Sequence, residues 1–256
     1  MFRTVFCVTI LPLVTATSVS ATSVSAAEGW GSMTGKIIWK GELPKPELLH
    51  RKGAAIKDAT VCAVRDVYKS DLVVDEDSKG IANIFIYLPK SPKKIHPDLS
   101  KFDEQVVFNQ ENCTFKPHTL LVRAGQTVEV LNSDSMSHNT HTYPLRNTAQ
   151  NLIITGNTAK GQGAAFPMPS REFLPIQVKC DLHNWMLAYW LILDHPYSAI
   201  TQMDGSFEIK NLPAGTHTFR VWHERVGYLE RKLSVVIQDG ETTELTPMEY
   251  KIEQKE

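Results

Sequence analysis

The sequence predicts an all-β protein built from two small sandwiches. Short apolar segments recur along the chain between turn residues, the pattern of a sandwich or barrel. Two of them carry a strand period: Ile84, Ile86 and Leu88 alternate with Phe85 and Tyr87, and Ile176, Val178 and Cys180 with Gln177 and Lys179. The last sixty residues add three close turn signals, Asp204-Gly205, Leu212-Pro213-Ala214-Gly215 and Asp239-Gly240.

Residues 1–26 read as an export signal, with Arg3 at its start, a mostly apolar run over 4–14, and small residues before a cut at Ala27 or Glu28. The apolar run is too short to span a bilayer, although an uncleaved anchor is the competing reading. Ala-Thr-Ser-Val-Ser at 16–20 repeats at 21–25, as low-complexity padding. Cys7 lacks the small-residue context of a lipoprotein anchor. No later stretch is long enough to cross a membrane.

Residues 30–100 open with a short strand at 36–39, closed by Gly41. The less regular stretch after it holds a short helix over 47–57, and the 84–88 strand follows. Residues 104–194 contain strands near 106–108, 120–122, 127–131, 176–180 and 189–193, with a long excursion over 143–172 rich in Gly, Asn, Thr and Pro. Residues 195–252 form a second small β-unit. There Asp204-Gly205 predicts a hairpin joining 198–201 to 207–209.

The net charge of -1 over 256 residues, with no polybasic run, excludes the electrostatics of a nucleic-acid binder. The 42% hydrophobic content is that of a globular chain. Neither a Ser-His-Asp set nor a phosphate-cradling glycine loop is present, so the chain does not read as an enzyme.

Cys180-Asp-Leu-His183-Asn-Trp-Met186 places three donor types on one loop between two strands. Upstream, Asn132-Ser-Asp134-Ser-Met-Ser-His138-Asn139 also follows a strand. A thiolate, two imidazoles and a weak thioether suit a copper ion that must be stable in both oxidation states. Each element alone is weak, since a buried Cys or a core Met is common. The combination carries the reading. Zinc prefers several thiolates or a full Cys/His set, and one thiolate is available here. The absence of C-x-x-C-H excludes covalent haem, and a binuclear copper centre needs a second loop Cys.

These residues resemble the cupredoxin family of plastocyanin and amicyanin over about 104–194. The resemblance is carried by Phe115-Lys-Pro117, Val122-Arg-Ala-Gly125-Gln-Thr-Val128, Asn132, His138-Asn139 and the Cys180 loop. It implies a Greek-key sandwich holding one type 1 copper through His138, Cys180 and His183, with Met186 axial. It also implies that Asn139 ties the two ligand loops together. Val178 stands where many members carry an aromatic residue, and Phe173-Leu-Pro-Ile replaces a usual glycine. Both departures bear on packing behind the site. The flanking segments resemble a carboxypeptidase-regulatory-like (transthyretin-like) sandwich through 201–209 and 212–215. That resemblance suggests a split module, started by 35–38 and 82–88 and interrupted by the copper domain.

Trp185 reads either as packing or as an apolar rim at an exposed edge of His183 where a partner docks. His141 falls on the opposite strand face from His138 and reads as an outward residue. His118, His195, His217 and His223 read as surface or core hydrogen-bonding residues. With the signal removed and Cys180 on metal, Cys62 and Cys113 remain, either bridged in an oxidising compartment or present as two buried thiols. The resulting expectation is an exported, periplasmic carrier of single electrons between redox proteins such as c-type cytochromes or a periplasmic oxidoreductase. Copper storage or delivery, or an envelope interaction module with a vestigial site, are the alternatives.

Overall fold

The computed structural model describes residues 29–253. The predicted export signal lies outside them. Apart from a four-residue helix, Ala59–Cys62, and a 3-10 turn, Pro97–Leu99, the regular structure is β. Among the described residues no helix is long and apolar enough to cross a membrane.

Strands from both ends of the chain build one sandwich. Trp30–Trp39 pairs antiparallel with Ser206–Pro213 and parallel with Thr242–Glu244 and Met248–Tyr250. The facing sheet runs Ser198–Ile200, Phe85–Tyr87, Gly215–His223, Gly227–Ile237. The core of this sandwich includes Met33, Ile37, Ile86, Ile209, Phe219, Val221 and Val235, which its two sheets turn toward each other. Residues 105–193 leave this sandwich and return to it as a second one. One sheet of the second is Asn151–Ile154, His138–Tyr143, Ile176–Lys179, Leu187–Leu193, Thr119–Arg123. The other is Ala164–Pro167, Thr127–Val130, Gln105–Glu111, Thr114–Lys116. Phe108, Val128, Phe166, Val178 and Trp190 fill the space between them. A third cluster, Phe85, Tyr87, Tyr189, Leu191, Leu193 and Trp222, joins the two sandwiches. It explains why both faces of 85–87 and 189–193 are apolar.

Three expectations are corrected. The Asp204-Gly205 turn forms, with Gly205 N–H donating to Gln202 O at 2.9 Å. Its flanking strands, however, enter opposite sheets. The turn is pulled aside because Ile37 N–H donates to Gly205 O at 2.9 Å. Gly80 packs flat against it, and a Cβ there would lie 1.9 Å from the Asp204 carbonyl carbon. The turns at 213–215 and 238–241 also cross between sheets. The true hairpin is Gly215–His223 with Gly227–Ile237, turned by residues that carry little signal before Gly227. Second, residues 47–57 are not helical. Leu48–His50 pairs with Val67–Tyr68, since Pro44 and Pro46 favour extended neighbours and Gly53, at φ 78°, breaks the chain. Third, the 143–172 excursion contains the strands Asn151–Ile154 and Ala164–Pro167. Both are sheet edges, and exposed Leu152 and Ile153 blur the alternation that would reveal the first.

Two buried histidines give the fold a pH dependence. His195 places Nε2 3.1 Å from Leu88 O, and its Nδ1 accepts from Tyr197 N–H at 3.2 Å, a pair of bonds only the neutral ring makes. Burial, partly opposed by the Asp194 charge, pushes it down to about 4. Burial, and then the charge of Arg225, push His223 down to about 4 as well. An unfolded histidine titrates near 6.5, so between there and about 4 the unfolded chain binds more protons. The stabilisation is full above pH 6.5 and is lost as pH falls toward 4. Denaturant unfolding at pH 5 is expected to give a free energy lower than at pH 7 by roughly 2–4 kcal/mol. In His195→Gln that drop shrinks; an equal drop in both proteins contradicts the assignment.

Candidate metal centre

Ile176–Lys179 and Leu187–Leu193 are antiparallel neighbours, and the loop joining them carries Cys180, His183 and Met186. It is closed by Cys180 N–H to Met186 O at 3.2 Å and by Met186 N–H to His183 O at 2.9 Å. His138 opens the strand on the other side of Ile176–Lys179, where His141 lies opposite Lys179. Sheet order alone therefore brings the two segments to one end of the sandwich.

His138 and His183 are fully buried and Cys180 is 2% exposed. Their donor atoms converge: Nδ1 to Nδ1 is 2.9 Å, and Cys180 Sγ lies 3.7 Å from His183 Nδ1 and 4.0 Å from His138 Nδ1. Metal–imidazole bonds of about 2.0 Å and metal–thiolate bonds of about 2.3 Å are usual for first-row ions. A point in the plane of this triangle about 2.0 Å from each nitrogen lies about 2.2 Å from the sulfur. The donor set therefore fits a trigonal ion without rearrangement. Met186 is buried in the same core as Cys180. Cys113, Asp134 and His138 also lie together, but the Cys113 sulfur is already in a disulfide.

Each imidazole is held from behind by a carboxylate. His138 Nε2 meets Asp134 Oδ2 at 2.8 Å, and His183 Nε2 meets Asp58 Oδ2 at 2.9 Å. A carboxylate on Nε2 fixes the ring's rotation and leaves Nδ1 for the metal. Asp134 is itself fixed by the N–H groups of Asn112, at 2.6 Å, and Cys113, at 2.8 Å. Burial opposes its charge, but the His138 contact and these donors hold its carboxyl below the usual range. Asp58, at φ 52°, precedes the Ala59–Cys62 turn, whose Cys62 N–H donates to Asp58 O at 2.9 Å. Cys62 is bonded to Cys113. One disulfide thus links the segment that caps His183 to the turn that fixes the carboxylate behind His138. Trp185 Nε1–H donates to Cys113 O at 3.1 Å and ties the ligand loop to the same point.

The protonation pattern matches a cation site. Burial disfavours charge on both Cys180 and His138. Even so, the contacts with the two histidines bring the Cys180 thiol down to about 6, and those with Asp134 and Cys180 carry His138 up to about 9. A thiolate beside a protonated ring is the state that exchanges a proton for a metal ion.

Asn139 joins the two loops. Its Oδ1 accepts from Asp181 N–H at 2.7 Å and Leu182 N–H at 3.2 Å and lies 3.3 Å from Cys180 Sγ. Its Nδ2 donates to Asp181 Oδ2 at 2.9 Å. His141 stands apart, bonded to Asp181 at 3.1 Å and to Tyr143 Oη at 2.9 Å. The anticipated open edge of His183 is absent, because the segment carrying Asp58 covers it. Trp185 is half-buried, with its ring between those of His183 and His50, at centroid distances of 5.2 and 4.8 Å. Asp134 is visible in sequence four residues before His138. Asp58 gives no signal, since 125 positions separate it from its partner.

No protein-family model matches the chain, and comparison with curated proteins gives no match. Similar solved structures include a reduced tryptophan-to-tyrosine mutant of amicyanin, at 18% identity and TM-score 0.30, over 42% of this chain and 97% of that one. A purple cupredoxin from Nitrosopumilus maritimus aligns at 19% identity and TM-score 0.27, over 35% and 99%. A copper-containing nitrite reductase from Thermus scotoductus aligns at 15% identity and TM-score 0.29, over 34% of this chain, which spans 22% of that enzyme.

Proposed function

We propose that the chain is an exported type 1 copper protein that carries single electrons between redox partners, and that His138, Cys180 and His183, with Met186 beside them, would hold the ion. The observation that carries this reading is the buried Sγ–Nδ1–Nδ1 triangle, sized for a trigonal ion. A bound copper ion supplies the one-electron couple. The residues supply the rest. Cys180 offers the thiolate, the Asp134–His138 and Asp58–His183 pairs keep both rings aimed inward, and Asn139 holds the two loops at one separation. With so many fixed contacts the ligands stay in place when the charge changes, and burial excludes water.

The sealed centre favours carriage over delivery, since a cargo ion needs a way out. The N-terminal apolar run and the disulfide support export. Voltammetry of copper-loaded protein tests the reading. A reversible one-electron wave is expected, and loss of copper on reduction overturns it in favour of delivery. Met186→Leu is expected to keep copper and the colour but move the potential, because the axial donor tunes it. An unmoved potential removes Met186 from the ligand set.

A further inference from the structure

The segment folded over His183 is charged unlike the chain as a whole. The chain carries a net charge of -1. Residues 51–66 hold four cations, Arg51, Lys52, Lys57 and Arg65, against two carboxylates, Asp58 and Asp66. All four cations are exposed, and none has an ion pair among the described residues. Asp66 Oδ1 accepts from the Lys52 N–H at 2.7 Å, and Asp58 is turned onto His183. The segment is held in one shape, which lowers the ordering cost of any contact it makes. Gly53 N–H donates to Ala63 O at 2.8 Å, and the Cys62–Cys113 disulfide anchors its far end. Val64 and Tyr68, 48% and 51% exposed, add apolar area to the same segment.

This face also reaches the ligand residues directly. His138, Cys180, His183 and Met186 are all buried. Of the two carboxylates behind the imidazoles, the Asp134 side chain is 5% exposed and that of Asp58 is 35% exposed. One hydrogen bond of 2.9 Å thus connects the buried His183 ring to a group at the surface. Tunnelling falls steeply with distance, so electron exchange needs a partner held against such a point. The other exposed edge near the ligands carries Asp181 and Lys179, whose charges are already engaged. Asp181 is bonded to Asn139, Asn151 and His141, and Lys179 lies over the Tyr143 ring at 5.5 Å. The cations of the covering segment are free. They flank no apolar helix face that could enter a bilayer, so they suit an acidic protein surface, whose opposite charge speeds and orients encounter. We propose that the covering segment is the docking face for the electron-exchange partner, a protein that presents carboxylates to Arg51, Lys52, Lys57 and Arg65. The proposal rests on the electron-carrier reading above. A partner seated there contacts Asp58, one hydrogen bond from the His183 ring.

The test has a copper-free arm and a copper-loaded arm. In the copper-free full chain, the paramagnetic trianion hexacyanochromate(III) should broaden the backbone amide signals of residues 51–66 first. Lys57→Glu combined with Arg65→Glu should abolish that broadening, with circular dichroism checking the fold. In the copper-loaded chain, oxidation of the reduced centre by the anion hexacyanoferrate(III) should slow about tenfold in the same double variant. Oxidation by the cation tris(phenanthroline)cobalt(III) should not slow, because the electrostatic effect on encounter changes sign with the probe. A missing copper band refutes the copper reading, whereas the broadening is read without copper, so the two failures are told apart. Broadening centred on Asp181 and Tyr143, or equal slowing with both oxidants, overturns the proposal. Sedimentation of the copper-free chain with phosphatidylglycerol vesicles overturns it in favour of a membrane surface.

Discussion

On the proposed reading, replacing Cys180 with serine is expected to remove the intense visible band of the copper-loaded protein and most of its copper affinity. The thiolate is the one soft anionic donor in the triangle, and its overlap with a bound copper ion would be the source of the colour. A serine hydroxyl remains protonated and hard at neutral pH. Loss of a carboxylate behind a ligand costs about 10–100-fold in affinity, and loss of the thiolate itself is expected to cost more. The fold should survive. Position 180 lies beside Asn139 Oδ1 and both Nδ1 atoms, so a hydroxyl finds partners there. Absorption during copper titration reads the effect, and thermal unfolding of the copper-free variant confirms that folding is intact. An unchanged band in Cys180→Ser contradicts the site.

Removing the disulfide has the second large effect. Cys62 and Cys113 are 51 positions apart, and closing a loop of that length removes chain entropy worth about 4 kcal/mol in the unfolded state. The double variant Cys62→Ala with Cys113→Ala, which leaves no stray thiol, is expected to unfold on the order of 10 °C lower. The consequence also reaches the metal. Asp58 sits four residues before Cys62, and the Cys113 N–H helps fix Asp134. Both imidazole partners loosen together, so transfer of copper to a chelator should quicken by about 10–100-fold. Asp58→Asn separates the two effects, because it spares the crosslink and releases only His183. A double variant with lower stability but unchanged copper loss contradicts the link between disulfide and site.

The grouping of the donor residues is legible in the sequence because most of them are local. Cys180, His183 and Met186 share one loop, and His138 and Asn139 follow a strand end, so donor type and strand context sufficed to nominate them. The groups that hold them were not legible. Asp58 reaches His183 from a stretch with no regular signal, and only the tertiary fold makes the pair. The predicted open face of His183 failed for the same reason: strand periodicity describes the sandwich and says nothing about a segment folded over its end. In the outer unit, Asp204-Gly205 announced a turn correctly. It could not announce that Ile37 would draw the turn aside and send its two strands to different sheets. The Gly215–His223 and Gly227–Ile237 hairpin was missed because Glu224, Arg225 and Val226 are poor turn markers, held by contacts such as Arg225 with Asp71.

Copper titration of the full-length chain, followed by visible absorption, tests the central claim most directly. An intense thiolate-to-copper band should rise linearly and saturate at one ion per chain. Copper that binds without that band, or a band that keeps growing beyond one equivalent, would contradict a single type 1 centre at His138, Cys180 and His183.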